Sequence, residues 1–153
     1  MIAVLQRINS ATVYADGDLS GNVSRGLYIL LGVERNDDEI DAKLLSEKIS
    51  KLRIFSDENG KMNLSVLDIQ GDALVVSNFT LNANYSHGNR PEYLASASPD
   101  VANKLYLYFI EELRKKVARV ETGVFGAHMV TEMSTDGPVT IVMRSDVLRG
   151  GKK

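Results

Sequence analysis

The chain lacks several residue types and motifs that common functional sites require. Cysteine is absent from its 153 residues, which excludes disulfide bonds, thiolate metal ligands and a cysteine nucleophile. Only two histidines occur, His87 and His128. Neither belongs to an HExxH motif or another close ligand spacing, so we expect no metal site. A GxSxG elbow and a glycine-rich phosphate loop are also absent. Any chemistry therefore depends on other polar groups.

Long apolar segments and a strong charge are missing as well. No stretch approaches the roughly 18 apolar residues of a membrane-spanning helix. The N-terminal segment MIAVLQRI lacks the basic leader of a signal peptide. We therefore expect a cytoplasmic protein that does not bind membranes. The net charge of −2 argues against broad nucleic-acid binding, but it is compatible with a local site for one end of an RNA.

The composition is that of an ordinary folded domain. Hydrophobic residues make up 44% of the chain and charged residues 25%, as in soluble globular proteins. The length fits one domain over residues 1–153. The tail of about residues 146–153 is basic. A frayed, solvated terminus is the commoner explanation for such a tail, and contact with phosphate is the alternative.

Apolar patterning predicts more strands than helices. One helix follows the caps Asn36, Asp37 and Asp38, and a second begins at Ser98 with Pro99 in its first position. The predicted strands are residues 1–8, 12–15, 26–33, 73–81, 124–134 and 139–144. The helical core positions are Ile40, Leu44, Leu45, Ile49 and Leu52, then Val101, Leu105, Phe109, Leu113 and Val117. We expect an α+β fold with a mostly antiparallel, barrel-like sheet and two main helices packed to one side.

The most informative segment is residues 73–81, ALVVSNFTL. Its first half is apolar without alternation, which suits a strand covered on both faces. Ser77, Asn78 and Thr80 then place polar side chains where a core strand would remain apolar. Unpartnered buried polar groups cost about 1–3 kcal/mol each, so this strand end favours a functional use. The alternative is that the strand leaves the core and Asn78 begins a turn.

A second segment, DGPVT at residues 136–140, completes a resemblance to a known family. SNFTL is similar to the motif SQFTL, and DGPVT to NDGPVT, of the D-aminoacyl-tRNA deacylases. Similar fragments follow in order along almost the whole chain: MIAVLQR at 1–7, GL at 26–27, LLGV at 30–33, KLRIF at 51–55, GKMNLS at 60–65, GNRP at 88–91 and GVFGA at 123–127. Together they make the resemblance strong.

The resemblance implies a homodimeric hydrolase without a cofactor. Its substrate would be the 3′ end of a D-aminoacyl-tRNA, whose ester it cleaves to proofread chirality in translation. A mischarged glycyl ester, which has no side chain, is a further expected substrate. The scissile ester would lie near Ser77, Asn78 and Phe79, with the terminal adenosine's own 2′-hydroxyl assisting. Donors aimed at the developing oxyanion suit this activated ester.

Gly137 and Pro138 are the second element that the resemblance assigns to the site. From the sequence alone, Asp136-Gly137 indicates a hairpin turn, and a proline can open the following strand. The resemblance implies that the Gly137–Pro138 bond is cis and enters the partner's site, where its carbonyl groups exclude L-amino acids. Such an exchange requires a two-fold dimer.

The remaining candidates carry alternatives. Thr80 has no adjacent base, so we assign it a positioning role, with covalent catalysis as the alternative. Arg90 would hold a terminal phosphate or ribose, or brace the loop at Gly137; an ordinary surface arginine is equally compatible. Phe125 and Met129 would line the core or an adenine pocket, together with Gly126 and Ala127.

Two residues depart from the family pattern. Asn78 stands in place of glutamine, and Thr135 in place of the asparagine before Asp136. If backbone N–H groups bind the oxyanion, Asn78 should be tolerated. Two other functions stay open: a non-catalytic module that binds an RNA end or nucleotide, to which only Asn78 points, and an esterase for small D-configured esters.

Overall fold

The computed structural model describes residues 1–150, and its centre is one long strand, β1. The strands are β1 (Ile2–Ala15), β2 (Asp18–Val23), β3 (Gly26–Gly32), β4 (Phe55–Ser56), β5 (Met62–Leu64), β6 (Asp72–Ser77), β7 (Val120–Thr122) and β8 (Met129–Arg144). β1 pairs antiparallel with β2, β3 and β8. Asp16 and Gly17 form the tight turn into β2 with φ angles of 49° and 90°, a conformation that suits a two-residue hairpin.

The main sheet combines antiparallel and parallel pairing. Its order is β2-β1-β3-β6-β7, with β8 on the other edge of β1. β6 lies parallel to both β3 and β7. The Ser20 hydroxyl donates to the carbonyl of Thr122 at 2.8 Å, so β2 approaches β7 and the sheet nearly closes. β4 and β5 form a separate hairpin.

Two helices, α1 (Glu39–Lys51) and α2 (Pro99–Arg114), pack against each other beside the sheet. Asp38 caps α1 by accepting from the N–H groups of Ile40 and Asp41, and the Asp41 carboxylate accepts from the Asp38 N–H in return. This capping box satisfies donors that a helix start leaves free. α3 (Ser145–Leu148) is a single short turn.

The main core lies between the sheet and these helices. It is held by large, fully buried side chains from every layer: Leu5, Ile29, Leu45, Phe55, Phe109 and Leu113. Burying a side chain of this size contributes about 1.5–3 kcal/mol. The predicted α+β class, with its mostly antiparallel, barrel-like sheet and two main helices, is therefore confirmed. No helix within residues 1–150 is long and apolar enough to cross a membrane.

Several strand predictions were wrong. The predicted strands 1–8 and 12–15 are one strand, because β1 runs through Asn9 and Ser10. Near these residues its partner on one edge changes from β3 to β2, and its pairing with β8 shifts register. The two C-terminal strands predicted at residues 124–134 and 139–144 are one strand, β8, which begins at Met129. Residues 18–23 and 120–122, which no pattern marked, form β2 and β7.

The helix positions were right, but part of each apolar stripe was not. Ile40 and Val101 are 57% and 43% exposed, whereas Ala42 and Ile110 are buried. Val117 is buried beyond the end of α2. The helices therefore turn slightly different faces to the core than the sequence pattern indicated.

The frayed terminus predicted from residue 146 is also wrong where the structure describes it. α3 covers the start of this segment, and Arg149 forms ion pairs with Asp38 and, at 2.9 Å, with Asp41. Arg149 of the tail is thus paired with the start of α1 and its cap. Residues 151–153 of the predicted tail lie outside the described residues.

Candidate active site

A cavity of about 550 Å³ opens at the carboxyl ends of the parallel strands β3 and β6. Its walls come from the end of β6, the start of α2 and the segment that precedes β8. The wall residues that matter below are Ser77, Asn78, Phe79, Tyr93, Tyr106, Phe125 and Met129. This size suits a small-molecule site or the end of a larger ligand. Gly126 and Ala127, predicted with Phe125, also line it.

The end of β6 turns sharply at Asn78. Its N–H donates to Leu31 at 2.8 Å and so extends the pairing with β3 by one residue. Its side-chain oxygen then accepts from the Thr80 N–H at 3.1 Å and from the Thr80 hydroxyl. Asn78 is therefore the cap of a single 3₁₀ turn, Phe79–Asn82. The alternative in which the strand ends and Asn78 begins a turn is confirmed.

Three hydrogen-bond donors at this turn lack an acceptor. Among the described residues, no partner exists for the Ser77 hydroxyl, the Asn78 amide NH₂ or the Phe79 N–H. The first N–H groups of a helical turn are left free by its geometry, which accounts for Phe79. All three residues line the cavity. Consecutive residues thus present free donors to one wall of the cavity.

Tyr106 on α2 contributes a hydroxyl that is already in use. It donates to the carbonyl of Val75 at 2.9 Å, and its ring lies 6.0 Å from the ring of Phe125. Burial raises the pKa of Tyr106 to about 12, so the hydroxyl stays protonated. The Tyr106 side chain is buried. It is a rigid wall of the cavity rather than an acid or base.

The outer rim of the cavity is aromatic. The rings of Phe79 and Tyr93 meet edge to face with centroids 5.1 Å apart, a favourable arrangement for two aromatic rings. Behind them, Asn82 donates to the carbonyl of Val33 at 2.8 Å and to the hydroxyl of Ser96 at 3.2 Å. Sequence reasoning missed Tyr93 and Asn82. Both lie outside the recognised motifs; Tyr93 lines the cavity, whereas Asn82 only braces the wall residues Val33 and Ser96.

Thr80 and Arg90 are outside the cavity wall. The exposed Thr80 hydroxyl donates to Asn78, and the cavity lining contains no lysine, histidine or carboxylate. This arrangement suits the positioning role assigned to Thr80. Arg90 is exposed on the loop between Asn84 and Glu92. Within the described chain no three His, Asp or Glu side chains gather as metal ligands.

Gly137 and Pro138 lie on an exposed bulge of β8. Pairing with β1 jumps from Gln6–Thr140 to Ile8–Thr135, so residues 136–139 stand opposite Arg7 alone. The Gly137–Pro138 peptide bond is cis, as the resemblance implies. The bulge therefore projects from the strand where its regular ladder is interrupted.

Arg7 holds this bulge in place. Its Nε donates to the carbonyl of Asp136 at 2.9 Å, and its Nη1 donates to the carbonyl of Ile54 at 2.8 Å. Nε also lies 3.1 Å from the Asp136 carboxylate, and the Arg7 side chain is only 11% exposed. Within one chain the brace is therefore Arg7, not Arg90. Sequence reasoning did not single out Arg7, which appeared only within the N-terminal segment, residues 1–7, that is similar to the family.

The bulge and the cavity lie at opposite ends of the sheet. Arg7 pairs with Leu27 on β3, while the cavity begins at Leu31. Four residues of strand separate these positions by about 13 Å. Gly137 and Pro138 do not contribute to the cavity of their own chain in the part that the structure describes. The structure thus brings together Ser77, Asn78, Phe79, Phe125 and Met129, but not the remaining predicted site residues.

Comparison with known proteins points in one direction. The model of a family described as D-Tyr-tRNA(Tyr) deacylase matches residues 4–144. Proteins named D-aminoacyl-tRNA deacylase from Thermosipho melanesiensis and Thermosipho africanus are 53% and 50% identical, and each match covers 95% of this chain and 97% of the relative. A solved structure described as c-Myc DNA Unwinding Element Binding Protein superposes with a TM-score of 0.88 at 37% identity, covering 94% of this chain and 98% of its own.

Proposed function

The chain belongs to the D-Tyr-tRNA(Tyr) deacylase family, and we propose that it hydrolyses the ester bond of D-aminoacyl-tRNA and so proofreads chirality in translation. The observation that carries this proposal is the wall of free donors at Ser77, Asn78 and Phe79, set in a cavity open at one rim. An aminoacyl ester needs little more than such donors and a positioned nucleophile.

The chemistry assigned to the cavity is stabilisation of an oxyanion. As water attacks the ester carbonyl, negative charge develops on its oxygen, and the Phe79 N–H and Asn78 amide are the donors placed to bind it. Removing one donor of this kind typically slows a reaction by about 10²–10³-fold. Because no ionisable base lines the cavity, the proton of the attacking water is relayed through the substrate's own 2′-hydroxyl, or through solvent, to the departing ribose oxygen. The bond between the carbonyl carbon and that oxygen then breaks, which gives the free amino acid and the uncharged tRNA.

Phe125 and Met129 are assigned to the terminal adenine. Both line the cavity on the side that leads into β8, and an aromatic ring beside a thioether suits the flat face of a base. The Ser77 hydroxyl, the third of the free donors, is assigned to the amino acid or the ribose. The cavity therefore holds the end of the tRNA and not its helical stem.

Chirality is assigned to the bulge at Gly137 and Pro138, acting on a second copy of the chain. A fixed backbone wedge excludes every L side chain irrespective of its chemistry, whereas a D side chain points elsewhere. The distance of about 13 Å along the strands within one chain supports a homodimer in which each bulge enters the partner's cavity. A glycyl ester, lacking a side chain, would pass the same check. The site of action of such an enzyme would be the cytoplasm, where aminoacyl-tRNA is used.

The deciding experiment compares release of tyrosine from D-tyrosyl-tRNA and L-tyrosyl-tRNA at one fixed salt concentration. The proposal expects catalytic turnover of the D-ester and little of the L-ester. Tight binding of both tRNAs without release would instead identify a non-catalytic module. Equal turnover of both esters would contradict the chirality check but would still support the proposed ester hydrolysis.

A further inference from the structure

A loop beside the cavity carries an aromatic ring and a cation that the reaction described above does not use. This rim loop, residues 84–93, is fixed at its base because Asn84 and Glu92 exchange backbone hydrogen bonds of 2.8 and 2.9 Å. The Asn84 amide also donates to the Glu92 carboxylate at 2.7 Å. Tyr93, which follows Glu92 directly, lines the cavity. The loop is therefore tied to the rim.

Two exposed side chains of the rim loop have no partner in the described part of the protein and could therefore bind a ligand. Tyr85 is 80% exposed and, within residues 1–150, its ring stacks on no other ring. Arg90 likewise makes no hydrogen bond or ion pair with any residue that the structure describes. One exposed tyrosine or arginine is ordinary on a protein surface. Here both residues belong to one loop and lie close to its Asn84–Glu92 bridge. The chain continues directly from this bridge into the cavity wall at Tyr93.

Tyr85 and Arg90 are close enough to the cavity to contact an RNA chain that leaves it. Tyr85 is one residue beyond the Asn84–Glu92 bridge, and Arg90 is two residues before Glu92. Two residues of extended chain span at most about 7 Å. Tyr85 and Arg90 are therefore each within about 7 Å of backbone from the bridge that precedes Tyr93, so an RNA chain that leaves the cavity past Phe79 and Tyr93 would pass close to both.

We propose that the rim loop is a subsite for the nucleotide immediately 5′ of the terminal adenosine, with Tyr85 stacking on its base and Arg90 binding its phosphate. This proposal rests on the proposed function, because it takes the terminal adenosine to occupy the cavity. Single-stranded RNA ends are bound in this way, by aromatic faces for the bases and guanidinium groups for the backbone. The arrangement reads no base edge, so it accepts any base.

The test compares two substrates with the same D-tyrosyl ester of adenosine. One carries the rest of the tRNA on the 5′ side of that adenosine, and the other ends there. D-tyrosyl-tRNA reaches the rim loop, whereas the minimal ester 2′(3′)-O-D-tyrosyl-adenosine does not. We expect Tyr85→Leu to lower kcat/KM for the tRNA about five- to tenfold, the lower range for loss of one stacked base, and to leave cleavage of the adenosine ester unchanged. Tyr85→Phe, which keeps the ring, should behave as wild type.

Arg90 is tested by salt dependence. Each phosphate contact on a single strand contributes about 0.7 to the slope of log affinity against log salt concentration. Arg90→Gln should lower that slope by about this amount for binding of uncharged tRNA, and Arg90→Lys should restore most of it. Lys48→Gln removes an exposed charge on α1, away from the rim, and should leave the slope unchanged.

The outcomes separate the loop from the active site. Equal losses on both substrates would mean that the loop only shapes the cavity, and no loss on either would mean that RNA does not touch it; each result overturns the proposal. A change of oligomeric state in Tyr85→Leu, measured by light scattering, would assign the loop to protein contact and also overturn it. If wild type cleaves neither substrate, the proposed function fails, and the tRNA-binding measurements still decide the subsite.

Discussion

Replacing Arg7 tests whether the bulge on β8 must be held rigid for chirality to be read. Arg7→Met keeps an unbranched side chain but removes the guanidinium group, with its hydrogen bonds to the carbonyls of Asp136 at 2.9 Å and Ile54 at 2.8 Å. A hydrogen bond that involves a charged group contributes about 1.5–3 kcal/mol. The ion pair to Asp136 adds less than about 1 kcal/mol, since that carboxylate is 39% exposed.

We therefore expect Arg7→Met to lower the free energy of unfolding by about 3–6 kcal/mol, mostly from the two charged hydrogen bonds, measured by urea denaturation. The larger effect should fall on selectivity. Residues 136–139 have no regular ladder opposite them, so without Arg7 the wedge is free to move away from the amino acid. The ratio of kcat/KM for D- and L-tyrosyl-tRNA should fall at least about tenfold, which corresponds to about 1.4 kcal/mol of discrimination.

Two matched variants distinguish position from general damage. Asp136→Asn keeps the carbonyl bonded to Arg7 and should change both stability and the D/L ratio little. Arg119→Met makes the same chemical change beside β7, where Arg119 donates to the carbonyl of Asn22 on β2, with β1 between β2 and β8. It should cost some stability but no selectivity. A folded Arg7→Met variant with the wild-type D/L ratio would refute the reasoning.

Three further predictions concern the cavity. Thr80→Ala should lower kcat/KM for D-tyrosyl-tRNA less than about tenfold, because no base is near its hydroxyl; complete loss in a variant with an unchanged circular dichroism spectrum would identify a nucleophile. Asn78→Gln should keep kcat within about threefold if the backbone N–H of Phe79 is the main oxyanion donor, and a loss of 100-fold or more would show that the shorter amide is essential. Tyr106→Phe should cost about 1 kcal/mol at neutral pH, because Val75 keeps its bond from Gly123. Burial holds the folded pKa of Tyr106 at about 12, above the ordinary value of 10. The stabilisation by the neutral phenol is thus complete below pH 10 and lost between pH 10 and 12, by up to about 2–3 kcal/mol, in wild type but not in Tyr106→Phe. Parallel stability curves for the two proteins over that range would contradict this assignment.

The local part of the site was predictable because its residues are adjacent in sequence. Ser77, Asn78 and Phe79 follow a buried apolar run, and that change of polarity alone indicates where β6 ends. Asn78 is also a good cap, so the turn was available as an alternative. Both the Asn78 cap and the free N–H of Phe79 result from the change from β6 to the 3₁₀ turn at Asn78. Such short-range features can be inferred from one sequence.

The parts that failed depend on contacts between distant segments. Asn9 and Ser10 favour a turn locally, yet they remain in strand because β8 pairs with Ile8 and with Ser10 itself. Strand formation depends strongly on such neighbours. The brace between Arg7 and Asp136 joins residues 129 positions apart, and no spacing rule connects them. The start of the tail was misjudged for the same reason, since the partners of Arg149 are Asp41 on α1 and its cap Asp38.

The division of the site between two ends of the sheet explains how one small fold could separate hydrolysis from chirality. Seven residue pairs join β1 to β3, and this ladder fixes the distance between the Arg7 brace and the cavity wall at Leu31. A wedge and a pocket so rigidly separated cannot meet within one chain without breaking the ladder. β8 offers a second copy an unpaired edge, with no other strand of residues 1–150 on that side, and exposed apolar side chains at Val130 and Val142. In the proposed dimer, each cavity therefore supplies the donors for catalysis and receives its chirality check only from its partner.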